Sequence, residues 1–435
     1  MTKALQNAKT SRILFVMCWI VYGFSYIGRL NYSAALAGMI ESGTFTRAQG
    51  GLIGTVFFVC YGGGQLIAGY LGDRISPFKM IGTGLFLATL ANAMMFFSKS
   101  YPIMLLFWGI NGLGNSMLWS PILYIISHLL VKEHRKRACL SIASTVPCGT
   151  LAAYLLSMLL LKFYPYQSVF LGAAVILGAV WCAWILVTGR IQTQLIPQDN
   201  AEMTVSDSAD SLQPESAAEA DSTDDAKPQV QTHSFWPLLL STGVIFAILP
   251  IIFQGMLNIG ITTWVPTIIM DVYAVSPVFS LLLSMFLPLV NLLGAYITTF
   301  LDDHIFHSET KTAFVMFLFV LLPIGALLHI GKLPATLCVV LLAMVTTSMT
   351  GINHMIITMI PFRMSRLGKA ATLTGFLNAM AYVGSAFSNY GFGKLADNFG
   401  WNTTILFWAV LAFISALLCA VASVKWTPFV RRLEK

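Results

Sequence analysis

The chain has 435 residues, of which 57% are hydrophobic and 10% charged; 25 Lys and Arg face 18 Asp and Glu, for a net charge of +7. A soluble domain carries about 25% charged residues, so the composition excludes that class and leaves a polytopic membrane protein. The seven cysteines (Cys18, Cys60, Cys139, Cys148, Cys182, Cys338 and Cys419) are scattered without a CxxC pair or metal-ligand spacing, so no disulfide framework, metal or cofactor is expected.

Lys3, Lys9 and Arg12 precede the first apolar run. The run is too long for a secretory signal and ends in no small-residue cleavage site, so it reads as a retained transmembrane helix. Windows of about 20 apolar residues predict spans near 13–37, 50–72, 79–97, 102–128, 138–162 and 168–188. A second set follows near 236–270, 277–300, 311–330, 334–362, 371–393 and 401–424. No Asp or Glu falls inside any of these windows.

Arg29 lies deep in the first span. Its guanidinium cannot shed its proton, and holding it in a bilayer costs roughly 2.5–3.5 kcal/mol on insertion scales. With no carboxylate in the spans, the charge is expected to await an anion from outside the chain. A structural alternative is capping by backbone carbonyls or buried water. Tyr22, Tyr26 and Arg29 follow i, i+4, i+7 spacing, which puts them on one helix face as a shared polar lining.

Lys132, Arg135, Lys136 and Arg137 form the densest basic run, between spans 4 and 5, and read as a topogenic anchor beside anionic lipid. Between Pro197 and Pro228 stand nine acids, half of the chain's 18. Low hydrophobicity with high charge predicts a disordered linker over 189–234, between six-helix bundles at 1–188 and 235–435. The basic balance therefore reflects topology, and nucleic-acid binding gains no support from it. With the N-terminus inside, the 25 Lys and Arg divide as nineteen inside, five outside and one in the membrane, so both termini are expected in the cytoplasm. A bacterial plasma membrane and a monomer are the expected setting. Two bundles of six spans suggest a substrate site near the midplane between them.

The turn after span 2, Gly69-Tyr-Leu-Gly-Asp73-Arg74-Ile-Ser-Pro-Phe-Lys79, resembles the loop signature G-x-L-x-D-R-x-G-R-K of the major facilitator superfamily, with Ser76 or Pro77 in place of the later Gly. The resemblance implies an all-α fold of twelve helices in two bundles, with Asp73 and Arg74 as a conformational latch. A narrower resemblance is to the organophosphate:phosphate antiporter family. It rests on Tyr22-Gly-Phe-Ser-Tyr26-Ile-Gly-Arg29-Leu-Asn31, Tyr61-Gly62, Trp264-Val-Pro266-Thr267, Gly375-Phe376 through Tyr382 and Gly384, and Phe399-Gly400-Trp401. It implies alternating access and a substrate site that includes Tyr61 and Tyr382. The chain departs from that family at three positions: the second Arg is Asn258, the span-2 Lys is Gln65, and the span-5 His falls near Cys148.

One bidentate Arg suits a carboxylate or a phosphate equally, but a dianionic phosphate favours two cations. Arg29, Tyr22, Tyr26, Tyr61, Gln65, Asn258 and Tyr382 are therefore expected to bind a small anion of about one charge, a sugar acid or other carboxylate, with a phosphate ester and phosphate antiport as the alternative. Gln254, Asn291, Asn378 and Asn389 are weaker candidates, since each could instead bond a neighbouring helix. His128 and His354 are expected to be structural, so anion exchange or uniport is favoured over proton symport. A receptor for an extracellular anion is the other class that fits. No nucleophile–base pair, metal spacing or phosphate-cradling loop points to an enzyme.

Overall fold

The computed structural model describes residues 3–4, 7–43, 45–72, 75–98, 100–131, 138, 141–142, 144–192, 196–197, 235–364 and 370–433. Most of the linker, the latch candidates Asp73 and Arg74, and the basic run Lys132 to Arg137 lie outside the described residues.

Twelve membrane-length segments follow one another. Spans 1 to 6 are Ala8–Glu41, Arg47–Gly72, Pro77–Phe97, a broken segment from Tyr101–Ser116 through Trp119–Tyr124, Thr145–Phe163 and Gln167–Gln192. Spans 7 to 10 are Val244–Tyr273, Pro277–Phe306, Glu309–Leu327 and Ala335–Arg363. Spans 11 and 12 are two helices within Ala370–Leu433 that meet at Gly400, whose φ of 80° glycine adopts without steric cost. A two-residue antiparallel pairing joins Lys3–Ala4 to Ile196–Pro197. The end of the molecule that carries the N-terminus, the linker and the C-terminus is called the inner end below.

The breaks have local causes. Proline opens spans 3, 4 and 8 at positions where its missing N–H costs nothing. Pro361 follows a π turn at His354–Met359 in span 10, where the helix loses a backbone donor. Span 1 tightens at Tyr26, where the Tyr26 and Arg29 amides reach back three residues, to the Gly23 and Tyr26 carbonyls, at 3.2 and 3.3 Å.

Several helices run past the apolar windows and take acids with them. Asp271 lies in the last turn of span 7, Asp302 in a π turn ending span 8, and Glu309 opens span 9. Asp302 and Glu309 are 5% and 1% exposed. The expectation that the spans hold no carboxylate is corrected here: hydropathy windows stop where polar residues begin, whereas helices continue as long as backbone bonds and neighbours support them. Glu309 accepts from Arg363 Nε, and from Trp426 Nε1 at 2.7 Å. Asp302 accepts from Thr312 Oγ1 at 2.7 Å and the Ser308 amide at 3.0 Å. These bonds tie spans 8, 9, 10 and 12 together inside one bundle.

The cross-bundle ion pairs and most cross-bundle hydrogen bonds among the described residues lie towards the outer end. Ser33 Oγ donates to the Thr263 carbonyl at 2.8 Å, and Thr55 Oγ1 donates to the Ala386 carbonyl at 2.6 Å. Spans 2 and 11 touch backbone to backbone there. A Cβ on Gly51 would stand 2.2 Å from the Asn389 carbonyl oxygen, and one on Gly393 2.5 Å from that of Arg47.

Candidate functional site

Arg29 sits where spans 1, 2 and 11 converge. Its guanidinium carbon is 4.6 Å from the centre of the Tyr26 ring and 5.2 Å from that of Tyr61. Tyr61 packs edge-on against Tyr382 across the bundle interface, with centroids 5.1 Å apart. Gln65 Nε2 donates to the Tyr61 hydroxyl at 3.1 Å, one turn along span 2. Tyr22 meets Tyr26 edge-on at 5.6 Å and rests on Trp119 at 4.6 Å. Six residues expected at the site, Arg29, Tyr22, Tyr26, Tyr61, Gln65 and Tyr382, thus form one contiguous cluster.

Each ring contributes about 0.5–2 kcal/mol of cation–π attraction. Together they offset much of the roughly 2.5–3.5 kcal/mol cost of the charge. A π face does not accept along the fork of five N–H donors. Arg29 makes no side-chain hydrogen bond to an oxygen acceptor among the described residues, and its ring contacts are those to Tyr26 and Tyr61. Arg29 is half-buried and lines a cavity of about 60 Å³ between the bundles, with Leu30, Phe57, Phe58, Trp108, Ile259 and Thr263 among its neighbours.

Four buried asparagines hold the backbone beneath it. Asn92 and Asn111 both donate to the Gly28 carbonyl, at 3.0 and 2.8 Å. Asn31 Nδ2 donates to Asn92 Oδ1 at 2.8 Å, and Asn115 Nδ2 to Asn111 Oδ1 at 2.9 Å. The bonded carbonyl belongs to the peptide that joins Gly28 to Arg29. Spans 3 and 4 therefore fix the point from which the arginine projects. Behind it, Gly149 of span 5 lets the helices meet: a Cβ there would lie 2.2 Å from the Gly23 carbonyl oxygen.

A second arginine closes the outer end. Arg47 Nη2 and Nε donate to Asp271 Oδ2 at 2.7 and 3.0 Å, and Nη1 donates to Asp397 Oδ1 at 3.3 Å. Asp397 also accepts the backbone amides of Arg47 and Ala48 at 3.2 and 2.7 Å. A carboxylate of the second bundle thus caps the N-terminus of span 2, where the helix dipole favours negative charge. Trp401 Nε1 donates to Asp271 Oδ2 at 2.9 Å. The clamp joins spans 2, 7 and 12 and the outer end of span 11.

Asn258 makes no side-chain hydrogen bond to the aromatic cluster among the described residues. Its carbonyl accepts from Thr262 Oγ1 at 2.7 Å, and its half-buried side chain bonds no described residue. Gln254 donates to the Met349 carbonyl at 2.9 Å, and Asn291 accepts from Thr346 and Thr347 at 2.8 and 3.0 Å. Both bond neighbouring helices. Asn389 accepts Trp264 Nε1 on its carbonyl at 3.2 Å and lines the cavity. His128 stacks on Tyr124 at 4.5 Å and meets Ser127 Oγ at 2.7 Å. Sequence reasoning missed the asparagines under Gly28 and the Arg47 clamp. The one available hint was Asn31 beside the Tyr-and-Arg segment.

Residues 18–389 match the model of the Major Facilitator Superfamily. The chain is 22% identical to the probable hexose phosphate transport protein of Chlamydia trachomatis, over 94% of this chain and 88% of that one. It is 25% identical to the glycerol-3-phosphate transporter of Bacillus subtilis, over 89% and 87%. The fold is similar to the crystal structure of a bacterial homologue of the human lysosomal transporter Spinster, with a TM-score of 0.73 at 14% identity, covering 97% of this chain and 98% of that one.

Proposed function

The chain belongs to the major facilitator superfamily, and from that premise we propose that it is a secondary transporter which carries a small organic anion by alternating access, with the anion's head on Arg29. The observation that carries this reading is a permanent positive charge between the bundles whose described contacts are tyrosine faces. An arriving carboxylate or phosphate oxygen supplies the acceptors that the protein withholds. Tyr22, Tyr26, Tyr61, Gln65 and Tyr382 orient the guanidinium, and Asn258 stands one turn inward of the cavity-lining Thr262.

The positive-inside bias supports an inner end in the cytoplasm, and the bacterial relatives support a plasma membrane; the reading takes the protein as a multi-pass monomer. The Arg47 clamp then seals the outer mouth, and the cavity is served from the cytoplasmic side. Transport requires Asp271 and Asp397 to release Arg47 while the bundles rock about the site. The buried carboxylates Asp302 and Glu309 are engaged within the second bundle by Arg363, Thr312 and Trp426 and do not line the cavity. That favours anion exchange or uniport over proton symport.

Phosphate-ester exchange is the second reading, favoured by relatives named for hexose phosphate and glycerol 3-phosphate. Against a dianion stands the single cation of the site, since neutral donors at Gln65 and Asn258 add geometry but no second charge. Counterflow in proteoliposomes against phosphate, phosphate esters, sugar acids and unsubstituted carboxylates tests the proposal. Saturable uptake of at least one anion is expected, falling to background in Arg29→Gln. Uptake unchanged by Arg29→Gln overturns the site.

A further inference from the structure

The cavity that adjoins Arg29 has a chemistry of its own. One wall is a run of aromatic rings: Tyr61 stacks on Phe57 at 6.0 Å, Phe57 meets Trp108 at 5.7 Å, and Trp108 meets Tyr32 at 4.9 Å. Leu30, Phe58 and Ile259 complete the apolar lining. Three of the four lining hydroxyls are committed as donors, while Asn389 Oδ1 accepts from no described group. Tyr32 donates its hydroxyl to the Gly50 carbonyl at 2.6 Å, Ser33 to Thr263 at 2.8 Å, and Thr262 to Asn258 at 2.7 Å. Asn389 Nδ2 donates to the Ser385 carbonyl at 2.9 Å. Thr263 is the one lining hydroxyl that donates to no protein group among the described residues.

A sugar body brings several hydroxyls, and each one buried without a partner is penalised. An aliphatic body loses nothing here and gains from leaving water. The volume, about 60 Å³, is room for roughly four to six water-sized groups at about 10–15 Å³ each. A whole hexose, ring and hydroxyls together, is larger than that. We propose that the cargo is a short-chain organic mono-anion with an apolar, unhydroxylated body, its head on Arg29 and its chain against Phe57, Phe58, Trp108 and Ile259. This rests on the anion site proposed above and narrows its substrate class. The aromatic wall and the spent hydroxyls are the specificity determinants, and they select against polyols whichever anionic head is used.

Two matched pairs separate head from body: propyl phosphate with glycerol 3-phosphate, and pentanoate with ribonate. Each pair keeps one head and changes the hydroxyl count. Binding to the purified full-length chain is read by calorimetry, in the wild type, in Arg29→Gln and in Ile259→Asn. The unhydroxylated member is expected to bind at least tenfold more tightly in both pairs, and Arg29→Gln is expected to abolish all binding. Ile259→Asn, which adds a donor and an acceptor to the apolar wall, is expected to narrow the ratio severalfold. Equal or tighter binding of the hydroxylated members, lost in Arg29→Gln, overturns the apolar-body inference and leaves the anion site standing. So does a ratio that Ile259→Asn does not move. Binding that survives Arg29→Gln overturns the anion site itself, and absence of binding by all four compounds at millimolar concentration overturns the inference.

Discussion

Arg29 and Arg47 solve the same physical problem in opposite ways. Arg47, at the outer end, is matched by two carboxylates from the other bundle and has Trp401 at its side. Its charge is consumed in holding the halves together. Arg29, at mid-depth, is given ring faces alone. Its charge is tolerated rather than neutralised, and its donors remain available. In the proposed mechanism the matched arginine is the latch and the unmatched one receives the anion. Alternating access needs both, because a site that binds must be reached from one side at a time.

The comparison can be broken at its outer half first. Asp271→Asn removes the charge that accepts from two Arg47 nitrogens and Trp401. Charged hydrogen bonds are worth about 1.5–3 kcal/mol each and do not add fully. A shift on the order of 2 kcal/mol, roughly thirtyfold in the outward-to-inward ratio, is expected. Labelling of a cysteine introduced at the outer mouth should rise accordingly in Asp271→Asn; unchanged labelling would remove the clamp from the mechanism.

A smaller effect sharpens the inner half. Asn258→Arg restores a second cation near the cavity and should move preference from carboxylates towards phosphate esters by about tenfold in competition counterflow, the scale of one charge-assisted hydrogen bond. Absence of any shift would undercut the one-cation reading. Asn111→Leu leaves the Gly28 carbonyl with Asn92 alone. The half-saturating concentration of the transported anion should rise about threefold to tenfold, with protein yield and monodispersity preserved. The smallest change is expected from Tyr61→Phe. It keeps the ring over Arg29 and loses the bond from Gln65, so uptake should fall by no more than about threefold. A loss as large as that of Arg29→Gln would mean that the hydroxyl, rather than the ring, holds the cargo.

The sequence made much of this readable, for identifiable reasons. The twelve spans follow from apolar windows, because the bilayer imposes one length on each crossing. Tyr22, Tyr26 and Arg29 could be placed on one face because helical spacing is local. Tyr61, Gln65 and Tyr382 came through the family resemblance and could not have been derived from spacing, since they join the Arg29 cluster from other helices. The Arg47 clamp was invisible: its partners lie 224 and 350 positions away, and each of its charges alone looks like an ordinary loop residue. Asn92 and Asn111 were missed for the same reason, at separations of 64 and 83 from the carbonyl they share. The acids at the helix ends were misread because hydropathy marks where a helix is apolar and says little about where it stops.

The central claim is that Arg29 holds the head of an anionic cargo. It is tested most directly by determining the structure with a bromine-substituted carboxylate and locating the bromine by anomalous scattering. The account predicts a signal inside the cavity between the bundles, with the carboxylate about 3 Å from the Arg29 nitrogens. A carboxylate seated elsewhere, with Arg29 still against Tyr26 and Tyr61 and touching no ligand, would contradict it.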